Sequence, residues 1–85
     1  MDYRKIATHN FFKMLRIMIK LLDCCNTNRE RFRVLHIIND HLHTGKFEKL
    51  ITFNTHRILA KRMYQYGVDI VRRKELYERN GLYED

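Results

Sequence analysis

Apolar positions recur along this chain at helical spacing, and no stretch of any length alternates with the two-residue period of a strand. The densest stretch is Asn10 to Cys25, NFFKMLRIMIKLLDCC. On a helical wheel His9, Lys13, Arg16, Lys20 and Asp23 share a polar stripe about 80° wide. Phe11, Phe12, Met14, Leu15, Ile17, Met18, Ile19, Leu21 and Leu22 fill roughly 220° of the remainder. An ordinary surface helix has an apolar stripe nearer 100°. The excess predicts neighbours on two sides, either later helices or a second copy of the chain. This first helix is expected to begin near Asp2 or Tyr3, to end near Cys25, and to be the central element. Phe11, Leu15, Met18 and Leu22 are the residues expected to offer its surplus face to a partner.

The second helix is predicted from about Asn28 to His43. Thr27-Asn28-Arg29-Glu30 has the spacing of a capping box, with Thr27 accepting from the Glu30 amide and Glu30 reaching back. Phe32, Leu35, Ile38 and Leu42 share one face with Val34 beside them. Arg29, Arg33, His36, Asp40 and His43 share the opposite one. Asn39 falls inside the apolar arc. Gly45 is expected to stop this helix.

Phe47, Leu50 and Ile51 align next, but the apolar face then turns by about 100° to Ile58, Leu59, Met63 and Tyr66. One straight helix cannot aim both sets at one core. A break near Phe53-Asn54 is therefore expected, with Asn54 as cap, a short helix over 46–52 and a longer one over 55–66. Gly67 should end the latter. Asp69 should cap a last helix over 70–79, Asn80-Gly81 should terminate it, and Leu82 to Asp85 form a short tail. The expected architecture is all-α: a small compact bundle of four to five helices, one domain over residues 1–85.

Composition narrows the class. The 85 residues contain no Pro and three Gly, which suits long helices. A chain this short is marginal alone and gains from oligomerisation or a partner. The apolar run Phe11–Leu22 carries Lys13, Arg16 and Lys20, whereas a membrane span needs about 20 largely uncharged residues. Charges inside that run, with no small-residue cleavage site after it, also argue against a secretory signal. Adjacent Cys24 and Cys25 have poor geometry for a disulfide, so reduced thiols and an intracellular setting are expected.

Catalytic and metal chemistry find little support. Serine is absent, no glycine-rich phosphate loop exists, and Glu75 and Glu78 lie among Arg72 and Arg79 as ordinary surface ion pairs would. His36, His41, His43 and His56 with the two cysteines are ligand types for zinc, but no Cys-x2-Cys spacing accompanies them. No enzyme, no metal site and no cofactor are expected.

Charge points to binding. The formal net charge is +7, from 17 basic and 10 acidic residues. It is spread along the chain rather than gathered in a tail. Arg29, Arg31 and Arg33 open the second helix; Arg57, Lys61 and Arg62 follow; Arg72, Arg73 and Arg79 lie on the last. Arginine forks fit phosphate and carboxylate equally. The segment Arg57–Tyr77 reads helix, Tyr-Gly-Val turn, helix, the outline of a helix-turn-helix. Its last helix sets Asp69, Glu75 and Glu78 against Arg72, Arg73, Lys74 and Arg79, too balanced for a strong DNA reader. The expectation is a small non-enzymatic protein binding nucleic acid through these nine cations. The alternative is an adaptor, inhibitor or accessory subunit that docks through the surplus apolar face of the first helix, with the arginines meeting acidic patches on the protein partner. A homodimer built on the first helix is compatible with either reading.

Overall fold

The computed structural model describes residues 2–79, with side chains to residue 73. Three helices account for it: α1 (Tyr3–Cys24), α2 (Asn28–Phe47) and α3 (Phe53–Arg79). The all-α class holds, but with three helices rather than four or five. The expected stop at Asn80-Gly81 and the tail after it lie outside the described residues.

Each helix start has a side-chain cap, as the orphan amides of a first turn require. Asp2 accepts from the Arg4 amide at 3.0 Å. Thr27 accepts from the Glu30 amide at 3.1 Å, and the Glu30 carboxylate accepts from the Asn26 amide at 3.2 Å. The capping box is thus present, with its return bond one residue upstream of the cap. Thr52 accepts from the Thr55 amide at 3.1 Å and takes the capping role expected of Asn54.

The chain does break before Phe53, but through a turn over residues 48–52 and not between two helices of 46–52 and 55–66. Gly45 does not stop α2; the helix runs through it to Phe47. Lys49 takes the left-handed conformation there, with φ 59°. The Leu50 amide donates to the Gly45 carbonyl at 2.8 Å, and the Lys49 amide to the Lys46 carbonyl at 3.1 Å. That pair of bonds is a Schellman ending, with a lysine where glycine is usual. Gly67 likewise sits inside α3, so no Tyr-Gly-Val turn and no helix-turn-helix exist. A mid-helix glycine costs only about 1 kcal/mol against alanine. That is too little to break a helix that packs along α2 on both sides of Gly67.

The centre of the fold is α2, not α1. Both other helices pack on α2, and α1 and α3 make no close backbone approach to each other. Among the described residues the two side chains with no solvent exposure, Ile38 and Leu42, both belong to α2. Around them lie Phe11, Leu15, Met18 and Leu22 of α1, Leu35, Ile51 of the turn, and Ile70 of α3. Only one stripe of α1 is used in this way.

This arrangement is open rather than compact. The Cα envelope measures 56 × 23 × 13 Å, with a radius of gyration of 15.4 Å. A compact domain of this length would have a radius near 12 Å.

Candidate interaction surfaces

The four residues expected at an interface are the intramolecular core of α1. Phe11, Leu15, Met18 and Leu22 retain only 3–6% of their surface, all turned to α2. Phe11 is the most constrained. Its ring stacks on His41 at 4.3 Å and 10°, and its carbonyl meets His41 Nε2 at 2.9 Å. Gly45 lies beneath it, where a Cβ would overlap the ring.

The surplus apolar surface of α1 is real but lies on other residues. Tyr3, Ile6, Met14, Ile17 and Leu21 are 40–82% exposed. Tyr3, Ala7, Asn10, Met14, Ile17, Leu21 and Cys24, all exposed, step by four and three residues alternately down the whole helix. That is the spacing of a coiled-coil seam. On the wheel this seam is centred about 100° around from the buried stripe. Its outer flank carries His9, Lys13, Arg16 and Lys20. No carboxylate occurs from Tyr3 to Leu22.

A second surface lies between α2 and α3. Phe32, Leu35, Met63, Tyr64, Gly67 and Val71 line an open groove of about 530 Å³, with Asn39 and Arg72 at its polar edge. Tyr64 is 73% exposed there. Asn39, expected as a core amide or an interfacial contact, is exposed on this edge.

The expected nucleic-acid residues divide into three groups. Arg29, Arg33, Arg57, Lys61, Arg62, Arg72 and Arg73 are exposed. Arg31 is not free. Its guanidinium donates to Asn28 Oδ1 at 2.7 Å and to the Cys25 carbonyl at 3.0 Å, tying the α1–α2 turn together. The Arg79 side chain lies outside the described part. The exposed cations are distributed over α2 and α3. Among the described residues the one ion pair is His36 with Asp40, at 3.6 Å. Arg29, Arg33, Arg57 and Arg62 therefore pair with no carboxylate among the described residues, and Arg57 donates to Asn54 at 3.0 Å.

The histidines go to different places. His41 faces α1, while His43 meets His56 of α3 with ring centroids 4.8 Å apart. Burial of His56, with Lys46 and His43 beside it, holds its pKa below the ordinary 6.5. Its Nε2 is buried without a hydrogen-bond partner. Among the described residues no three His, Cys, Asp or Glu side chains come together as metal ligands. Cys24 and Cys25 are free thiols, and the Cys25 thiol donates to the Leu21 carbonyl at 3.0 Å. No described helix is long and apolar enough to cross a membrane.

No protein-family model, curated protein or solved structure matches this chain.

The roughly 220° apolar arc of α1 signals a surplus, but the exposed part of that arc is Met14, Ile17 and Leu21, not the expected Phe11, Leu15, Met18 and Leu22. The missed signal is the alternate three-and-four spacing from Tyr3 to Cys24, which separates a seam from a core stripe in one helix. The groove at Tyr64 had no local signal, since it needs α2 and α3 side by side.

Proposed function

We propose that this chain is a non-catalytic interaction module, an adaptor or accessory subunit completed by another polypeptide. The observation that carries the reading is the apolar seam left uncovered along α1. An isolated monomer gains nothing from exposing Met14, Ile17 and Leu21 in register, whereas a bound helix would remove them from water. The open shape supports the same reading, because α2 alone covers only one stripe of α1. Sedimentation velocity combined with binding of a hydrophobic dye tests it. The expected result is dye binding by the folded chain. A monodisperse monomer that binds no dye would end this reading.

A second reading, nucleic-acid binding, is favoured by one specific observation: Arg29, Arg33, Arg57 and Arg62 are exposed and make no ion pair among the described residues. Phosphate contacts would then supply an affinity that falls with salt, with little sequence preference. Titration of duplex and single-stranded DNA and RNA across a salt series checks it. Absence of binding at low salt removes it.

A further inference from the structure

We infer that the exposed seam of α1 is the docking site for an acidic amphipathic helix from a different polypeptide. This rests on the interaction-module reading and names its partner. Two features decide the occupant. The first is geometry. Tyr3, Ala7, Asn10, Met14, Ile17, Leu21 and Cys24 form a narrow seam at alternating spacings of four and three. Such a seam accepts the knobs of one facing helix along its length. A helix lying in a membrane interface instead presents a broad face of bulky apolar groups. Here the adjacent stripe is already occupied by α2, and Asn10 interrupts the seam with an amide.

The second feature is charge. Arg4, Lys5, His9, Lys13, Arg16 and Lys20 lie on α1 with no carboxylate from Tyr3 to Leu22. Lys13 and Lys20 occupy the outer edge of the seam, one heptad apart. In an antiparallel pair a second copy would place these lysines against their own counterparts. In a parallel pair it would place them against side chains buried on its own α2. A helix with Asp or Glu along its edge meets them with opposite charge. Opposite Asn10 that partner carries a polar residue, which fixes register.

The test uses the full chain and a designed helical peptide of three heptads, with Leu and Ile at the seam positions and Glu at the edges. A sister peptide has Lys in place of Glu. The Glu peptide is expected to bind, at least ten-fold tighter than the Lys peptide and less tightly at high salt. M14Q with I17Q should abolish binding, while I37Q, on an exposed α2 position, should leave it unchanged; circular dichroism confirms that each variant is folded. K13E with K20E should reverse the preference between the peptides. Equal binding of both peptides, or binding indifferent to M14Q and I17Q, overturns the inference. So does seam-dependent dimerisation of the chain alone, or seam-dependent binding to vesicles containing anionic lipid with no peptide binding. Dye binding without peptide binding sinks this inference but spares the interaction-module reading; loss of both sinks the two together.

Discussion

The two sides of α2 are built from similar side chains and end in different states. Towards α1 an aromatic ring meets a glycine. Phe11 settles over Gly45 and against His41, and Leu15, Met18 and Leu22 follow it into a closed contact. Towards α3 the glycine is Gly67, where a Cβ would lie 3.7 Å from Leu35 and 3.8 Å from Phe32. No ring fills that space. Tyr64 stays largely in water, Val71 is partly exposed, and a groove remains. A glycine in a helix is thus a close-packing device only when a neighbour uses the missing Cβ. The α1 side closes around its glycine, while the α3 side, although its backbone contact with α2 is no smaller, keeps an open groove available for contacts outside the fold.

The sharpest way to break this contrast is to remove the ring. Phe11→Ala should cost about 3–5 kcal/mol, since a buried aromatic is lost over a glycine that cannot fill the hole. Tyr64→Ala on the loose side should change stability by less than about 0.5 kcal/mol, as exposed substitutions do. Urea denaturation of both variants checks the pair. Equal losses would show that the two contacts are alike.

Next in size is Gly45→Ala. The added methyl overlaps the Phe11 ring, so overpacking should cost about 1–3 kcal/mol despite the better helix propensity of alanine. The cause can be isolated in a double-mutant cycle. In the Phe11→Ala background the same change should become neutral or stabilising, because the clash has gone. A penalty that persists there would place the strain in the α2 backbone instead.

These two glycines also mark where sequence reading works here and where it fails. Both look like helix stops, because glycine after an apolar run commonly sits at a C′ position. Whether it does depends on the side chain above it, and Phe11 lies 34 positions before Gly45. Local chemistry was legible: Thr27 and Glu30 form their capping box, and α1 and α2 begin where capping residues stand. The turn before Phe53 was legible as a rotation of the apolar face, but not its exact place. Its ending is made by Lys49, a residue with no propensity for the left-handed region. The role of α2 as centre was not legible, because the greasier α1 outweighs it in composition. Arg31 had the look of a free cation, and only the fold brings the Cys25 carbonyl to it.

A smaller effect tests the legible part. Thr27→Ala removes the acceptor for the Glu30 amide and should cost about 1 kcal/mol, read as a lower urea midpoint. Glu30→Ala should cost less, since its return bond to Asn26 is exposed. At Gly67 the sign reverses. Gly67→Ala should stabilise by about 0.5–1 kcal/mol, because alanine is the better helix residue and its Cβ meets only ordinary van der Waals contact. A loss of stability there would mean that the groove is tighter in solution, and that the two sides of α2 differ less than described.

The smallest expected effect also belongs to the α2–α3 contact. His56 packs against His43 and near Lys46, and burial and these neighbours lower its pKa in the folded chain. Between that lowered value and the ordinary 6.5 the unfolded chain holds the proton and the folded chain does not. Stability is therefore full above pH 6.5 and declines as pH falls towards the folded value. Protonation would also place a cation beside Lys46, so the loosening should fall on the start of α3 first. His56→Gln keeps the size of the side chain and removes the titration, and should flatten this part of the stability curve. Hydrogen exchange across pH 7 to 5 should show faster exchange near residues 53–60, with the Phe11–Gly45 contact unchanged. Equal acceleration on both sides of α2 would show that the two contacts open as one unit, and the contrast between them would not extend to dynamics.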